Sequence, residues 1–301
     1  MTESRKGFWA IFLSASIWGL SGIYYKAFDH VPALEVIAHR TLWSAVFFGL
    51  VIIFQRRLKD VLRNFLNPRM IGILLVSAAM ISVNWSGFVF AIQKGWALDA
   101  SFGYYIFPLM AVVLGMVLFG EKLSKLQGIA VIMAAIAVLI LGFGLGTTPW
   151  IALLLATTFS IYGLLKRRVE LGPVASVFLE VLLVAPIALI YLGWVHSQSN
   201  GDFGQSLSTS LLLMGAGPMT AIPLILFSYG AQRLDFATVG LMQYANPTLQ
   251  FLVAVFLFGE VFTKWHGIAL PMIWAALALY SISSFRSKRT DVVDGSKQTS
   301  A

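Results

Sequence analysis

Residues 108–130 read PLMAVVLGMVLFGEKLSKLQGIA, and residues 247–269 read PTLQFLVAVFLFGEVFTKWHGIA. The two align without gaps at a shift of 139 residues, and Tyr105 then falls on Tyr244. Pro, Leu-Phe-Gly-Glu, Lys and Gly-Ile-Ala recur in register. Any two apolar helices look somewhat alike, but shared composition does not reproduce the spacing of a proline, a Gly-Glu pair, a lysine and a glycine. The chain reads as a duplication. Weaker matches extend it: SIWGL at 16–20 resembles SIYGL at 160–164, and Pro32 can be laid on Pro173.

What surrounds the repeat decides its solvent. Hydrophobic residues make up 58% of the chain and charged residues 11%, against about a quarter charged in an average soluble domain. Such a chain cannot cover itself with polar groups in water and needs lipid around most of its surface. Apolar stretches long enough to span lie near 7–27, 33–54, 70–92, 101–119, 126–143, 148–165, 174–194, 211–229, 236–258 and 265–285. The first is too long for a signal peptide and lacks a small-x-small cleavage site, so it reads as a retained span. Of the 21 Lys and Arg, only Lys26, Lys94 and Lys264 fall on the side opposite the N-terminus, with Arg40 inside a span. The remaining seventeen gather on one side, which the positive-inside rule makes cytoplasmic. That distribution accounts for the net charge of +8 without invoking nucleic acid.

Five spans per copy is an odd number, so the second copy enters the membrane upside down. The predicted fold is an all-α membrane protein of ten transmembrane helices in two inverted five-helix repeats, 1–146 and 147–286. A polar, disordered cytoplasmic tail follows at 287–301. Inverted repeats of this kind are typical of secondary transporters.

Three further stretches carry a family resemblance: HVPALEVIAHRTLWS (30–44), NWSGFVFAIQ (84–93) and ASFGYYIFP (100–108). Together with the two copies of Leu-Phe-Gly-Glu, they resemble the RarD group in the EamA branch of the drug/metabolite transporter superfamily over residues 7–285. The resemblance implies helices 1–4 and 6–9 around a central cavity, helices 5 and 10 at the periphery, and export of amino acids or other small metabolites. A bacterial inner-membrane, multi-pass protein is expected, and the charge asymmetry predicts both termini cytoplasmic. One departure stands out. RarD-like chains often place Asn before the proline of the fourth span, where this chain has Phe107-Pro108; its Asn-Pro is Asn246-Pro247 in the second copy.

The polar residues inside the spans are the candidate site. Arg40 lies about 10 Å in from the outer end of its span at 1.5 Å per residue, a depth at which a guanidinium should face protein or water. It is expected to bind an anion or to gate the pathway; snorkelling to the surface is the alternative. His39 and Glu180 are candidates for proton coupling. An i,i+4 hydrogen bond to Glu35 would explain His39 equally well, and a pair with Arg167 or Arg168 would explain Glu180. Depth argues against a direct Arg40–Glu180 bridge. Pro108, Pro223 and Pro247 are the helix-breaking candidates, because proline frees the carbonyl four residues earlier. Around them Asn84, Tyr104, Tyr105, Gln243, Tyr244 and Asn246 are expected to bind substrate, with Trp18 and Trp85 as aromatic walls. Glu121 and Glu260 are expected to cap or anchor loops.

No cofactor is called for. The chain has no cysteine, no His-Glu-x-x-His helix and no Gly-x-Ser-x-Gly elbow, so catalysis and a metal site are not expected. The expected partners are a small-molecule substrate, the lipid bilayer and protons, with a homodimer left open. A lipid-moving protein and a channel stay as alternatives to the carrier.

Overall fold

A computed structural model describes residues 2–119, 124–145, 149–166, 169, 171–231, 233–234 and 242–298. The chain runs through α1 (Glu3–Lys26), α2 (Ala33–Phe54), the short α3 (Leu58–Leu62), α4 (Pro68–Lys94), α5 (Ala97–Phe119) and α6 (Lys125–Leu145). It continues through α7 (Trp150–Lys166), α8 (Pro173–Ser197), α9 (Leu207–Ala231), α10 (Ala245–Leu252) and α11 (Lys264–Gln298). Local chemistry sets the ends. Asn67 accepts from the N–H groups of Arg69 and Met70, Pro68 occupies the first turn of α4, and Gly95 closes that helix at φ +72°.

Six of the helices are long and apolar enough to cross a membrane: α1, α2, α4, α6, α8 and Leu207–Gly230 of α9. Shorter apolar helices are Trp150–Lys166 and Ala245–Leu257, the latter closing with a π-helical turn over Val253–Leu257. Each of the ten apolar segments read from the sequence carries a helix, the ninth only over its described part. Two details differ from expectation. The connection between α2 and α4 holds α3 and a 3₁₀ turn over Arg63–Leu66. The tenth segment stays helical to Gln298 where disorder was expected; residues 287–298 contain no proline to stop a helix already nucleated by its apolar part.

The packing has an exchange symmetry. Numbering the ten segments in order and exchanging the first five for the last five turns α5–α7 into α10–α1, α1–α9 into α7–α4, and α2–α9 into α8–α4. The pairs α2–α8, α5–α10 and α6–α11 map onto themselves. Every one of these pairs is in contact, and α6 packs chiefly on α11. Glycine permits the closest crossings. A Cβ on Gly217 of α9 would lie 2.5 Å from the backbone of Trp43 in α2, and one on Gly103 of α5 would lie 2.8 Å from the carbonyl oxygen of Ala152 in α7.

Candidate functional site

Arg40 is buried at 6% exposure. Its Nε donates to Thr220 Oγ1 at 2.8 Å, and Thr220 passes its own proton to the carbonyl of Ala216, one turn back in α9, at 2.9 Å. The guanidinium lies 3.9 Å from the centroid of the Trp85 ring and 5.7 Å from that of Tyr25. A desolvated cation–π contact of this kind is worth about 2 kcal/mol. Rings attract the cation's face without using its N–H bonds, so the terminal amino groups keep their hydrogen-bonding capacity. Among the described residues they have no partner, and Arg40 has no carboxylate within ion-pair distance. Arg40 and Trp85 are thus brought together, joined by Tyr25 and Thr220, which the sequence reading missed.

Next to this aromatic floor, Asn84 ties three helices together. Its Nδ2 donates to the Leu155 carbonyl at 2.9 Å and to Thr158 Oγ1 at 3.0 Å, while its Oδ1 accepts from Tyr104 OH at 3.0 Å. Asn84 and Tyr104 are therefore spent on each other and on α7 and serve as clamps beside the site. Tyr105 turns the other way, 2.8 Å from Thr248 of α10, because consecutive helical residues point about 100° apart. Trp18 packs 6.2 Å from Phe227 at the α1–α9 contact, away from Arg40. Asn246 accepts from Gln250 within its own helix at 2.9 Å. Gln243 keeps Nε2 buried without a partner, and Tyr244 packs half-buried against the main core.

The prolines behave unequally. Pro108 lies within the continuous α5 and Pro223 within the continuous α9, so neither breaks its helix. Neighbouring hydroxyls take up nearby carbonyls instead: Ser160 donates to Phe107 at 2.9 Å and Ser14 to Pro223 at 2.7 Å. Pro247 follows a turn at Tyr244 and sits in the first turn of α10, where its missing N–H has no intrahelical role.

Towards the end of the molecule where α7 meets α8, Glu180 is buried and ion-paired. Lys166 Nζ lies 2.8 Å from its Oε1, Ser77 Oγ donates to it at 2.5 Å, and Tyr162 OH reaches Oε2 at 3.5 Å. The partner is the last residue of α7; Arg167 and Arg168 lie outside the described residues. Arg40 and Glu180 make no ion pair, yet Trp85 and Glu180 line one narrow cleft between α2, α4 and α8, together with Thr41 and Ser82.

At the opposite end the His39–Glu35 hydrogen bond, the alternative to a coupling role for His39, does not form. The closest approach is 3.9 Å, because His39 stacks on Phe203 at 4.7 Å between ring centres. Glu35 Oε1 accepts instead from the N–H groups of Asp202 and Phe203, at 2.8 and 3.3 Å. Glu260 does cap, as expected: it takes the N–H bonds of Ala97 and Leu98 at 2.8 and 2.7 Å, at the start of α5. Glu121 lies outside the described residues.

Two successive stretches, residues 5–143 and 147–282, match the profile of the EamA-like transporter family. The chain belongs to that family. EamA-like relatives align over nearly its whole length. "Uncharacterized transporter YojE" of Bacillus subtilis is 40% identical over 291 residues, covering 95% of this chain and 97% of its own. "Protein RarD" of Escherichia coli K12 is 35% identical over 288 residues, with 95% and 97% covered. One crystal structure overlays with a TM-score of 0.60 at 20% identity, covering 94% of this chain and 97% of its own. That last likeness shows a shared fold and nothing finer.

Proposed function

We propose that this EamA-like protein is a secondary transporter that exports a small organic metabolite, amino-acid-like or amphipathic, by alternating access. Its ten apolar segments cross a bacterial inner membrane as two inverted five-span repeats, with both termini cytoplasmic. The tandem family matches and the exchange symmetry of the helix packing support the inverted pair. The carrying observation is Arg40. A guanidinium held on Trp85 and Tyr25 and tethered, among the described residues, through Nε alone keeps the planar fork of its terminal amino groups for a substrate carboxylate, which fits it in two parallel hydrogen bonds. The narrow cleft beside Trp85 and Glu180, with room for about one water, marks where a path towards the inner face would open. In this reading Glu180 carries the coupling proton and yields it as its bond to Lys166 is remade.

Counterflow in proteoliposomes tests the reading. Labelled amino acids and monocarboxylates are offered against excess unlabelled solute, with and without a pH gradient. Trans-acceleration lost in Arg40→Ala, and gradient dependence lost in Glu180→Gln, are the expected results. Ohmic current without trans-acceleration would indicate a channel, and exchange confined to lipids a lipid-moving protein. Unaltered exchange of carboxylates by folded Arg40→Ala refutes the anion site.

A further inference from the structure

On the flank of the bundle, α2 and α8 part towards the end of α2 and leave an open groove of about 390 Å³. Val46, Leu50 and Ile53 of α2 form one wall, Phe178 and Leu182 of α8 the other, and Leu58 of α3 closes its end. No polar side chain lines it. Gly49 leaves the ring of Phe178 bare, since a Cβ there would stand 3.3 Å from it. Val46, Leu50 and Ile53 are each about half exposed, so the groove opens outward to the membrane, and a carboxylate solute would find no donor in it. Where it ends, the chain turns sharply: Arg56 takes φ +57°, a left-handed conformation that residues other than glycine rarely adopt. The turn leads into α3, whose Val61 is buried with Phe178 in an apolar cluster that Leu58 packs against. Arg56, Arg57 and Lys59, all exposed, therefore flank the two residues at which the groove ends, Ile53 and Leu58. Among the described residues none of the three makes an ion pair. Asp60 is the single acid in residues 55–69, against five cations.

We propose that this groove binds one anionic phospholipid of the surrounding bilayer, with an acyl chain between α2 and α8 and the headgroup phosphate on Arg56, Arg57 and Lys59. An apolar trough open to the membrane suits a hydrocarbon chain, and arginine forks without a carboxylate partner at its mouth suit phosphate oxygens. Basic pockets beside transmembrane helices recognise anionic headgroups in this way. A second copy of this chain suits the groove less well. A two-fold contact about the membrane normal sets the same basic rim against itself, and like charges repel. The lipid chain fills the seam between α2 and α8, whose other end is already packed by Ala38, Leu42, Ala188, Tyr191 and Leu192. The site takes nothing from the proposed substrate or direction of transport, so the two readings stand or fall separately.

Native mass spectrometry of the full chain in detergent tests the site. Dioleoyl phosphatidylglycerol and dioleoyl phosphatidylcholine are offered in equal amounts, so that only the headgroup differs. One phosphatidylglycerol per chain should be retained in preference, by at least about tenfold, because each cation beside an anionic headgroup is worth roughly fivefold in affinity before salt screening. Arg56→Gln/Arg57→Gln/Lys59→Gln should bring that preference to about one. Arg286→Gln/Lys288→Gln/Arg289→Gln removes the same charge elsewhere in the sequence and should leave it intact. Leu50→Trp fills the groove from a half-exposed position and should abolish the retained lipid; Ile53→Trp serves in its place should Leu50→Trp fail to fold. Glycerol phosphate in large excess should not displace the lipid, since it offers a phosphate without a chain. Equal retention of the two lipids, a preference that survives the triple variant at the rim, or one lost equally with the distant charges would each overturn the site. Retention untouched by either tryptophan, or displacement by glycerol phosphate, would do the same. A dimer that either tryptophan dissociates would put a second copy in the groove, and the proposal falls.

Discussion

Removing Lys166 alone should cost far more than removing both partners of the Lys166–Glu180 pair. The carboxylate is 1% exposed and the lysine 20%, so Lys166→Met leaves a buried charge whose donors among the described residues are Ser77 and Tyr162. Breaking a fully buried pair costs about 3–5 kcal/mol; the two remaining hydroxyls and the option of taking up a proton reduce this to roughly 2–3 kcal/mol. Glu180→Gln instead strands an ammonium that still holds Ser176 Oγ at 2.5 Å and lies near the inner interface, for roughly 1 kcal/mol. The double variant Lys166→Met/Glu180→Gln contains no stranded charge and should fall within about 1 kcal/mol of wild type. The resulting coupling of about 2 kcal/mol corresponds to roughly 30-fold in an equilibrium constant. Thermal unfolding in one detergent reads it: at roughly 2 °C per kcal/mol for a chain of this size, Lys166→Met should lose about 5 °C and the double variant at most about 2 °C. Losses that simply add across the cycle would refute the pairing.

Arg40→Lys keeps the charge but loses the planar fork, so counterflow of a carboxylate solute should fall roughly tenfold or more while the protein still folds. Gly217→Ala drives a methyl group into the backbone of Trp43 at 2.5 Å and should cost about 1–3 kcal/mol. Gly193→Ala, with nothing within 4 Å of its Cβ position, should leave the melting temperature unchanged in the same assay. Burial pushes the Glu260 carboxyl above the usual carboxylate range, against the pull of its two backbone N–H bonds. The folded state therefore binds more protons than the unfolded one across that interval, and this group removes stability as pH rises through it; Glu260→Gln should abolish that slope in melting temperature against pH.

The repeat, the apolar segments and the family were legible because they are properties of single stretches: length, hydropathy, charge asymmetry and local spacing. The site was legible only as a set of residue types. Arg40 and Trp85 were both singled out, but their 3.9 Å contact depends on how α2 and α4 cross, and no sequence period encodes that. Tyr25 and Thr220 carried no signal of their own, as a tyrosine and a threonine in apolar helices usually satisfy neighbouring carbonyls. Asn246 looked like a site group and is half of an intrahelical pair with Gln250; the four-residue spacing could have been read that way. Glu35 was seen only as a neighbour of His39, since its real partners are backbone amides of a connection that any sequence could supply.

Exchange symmetry also makes its own violation informative. The contact between α2 and α9 is close, with Gly217 against Trp43, whereas its counterpart, α4 with α8, is sparse and opens into the cleft at Trp85 and Glu180. Two copies with one packing code should give two equal seams, and equal seams would close both ends of a pathway at once. One seam tight and the other slack is what alternating access requires of a single state. On the proposed inverted arrangement, the opposite state is this one with the seams traded: α4 closes on α8, and α9 leaves α2.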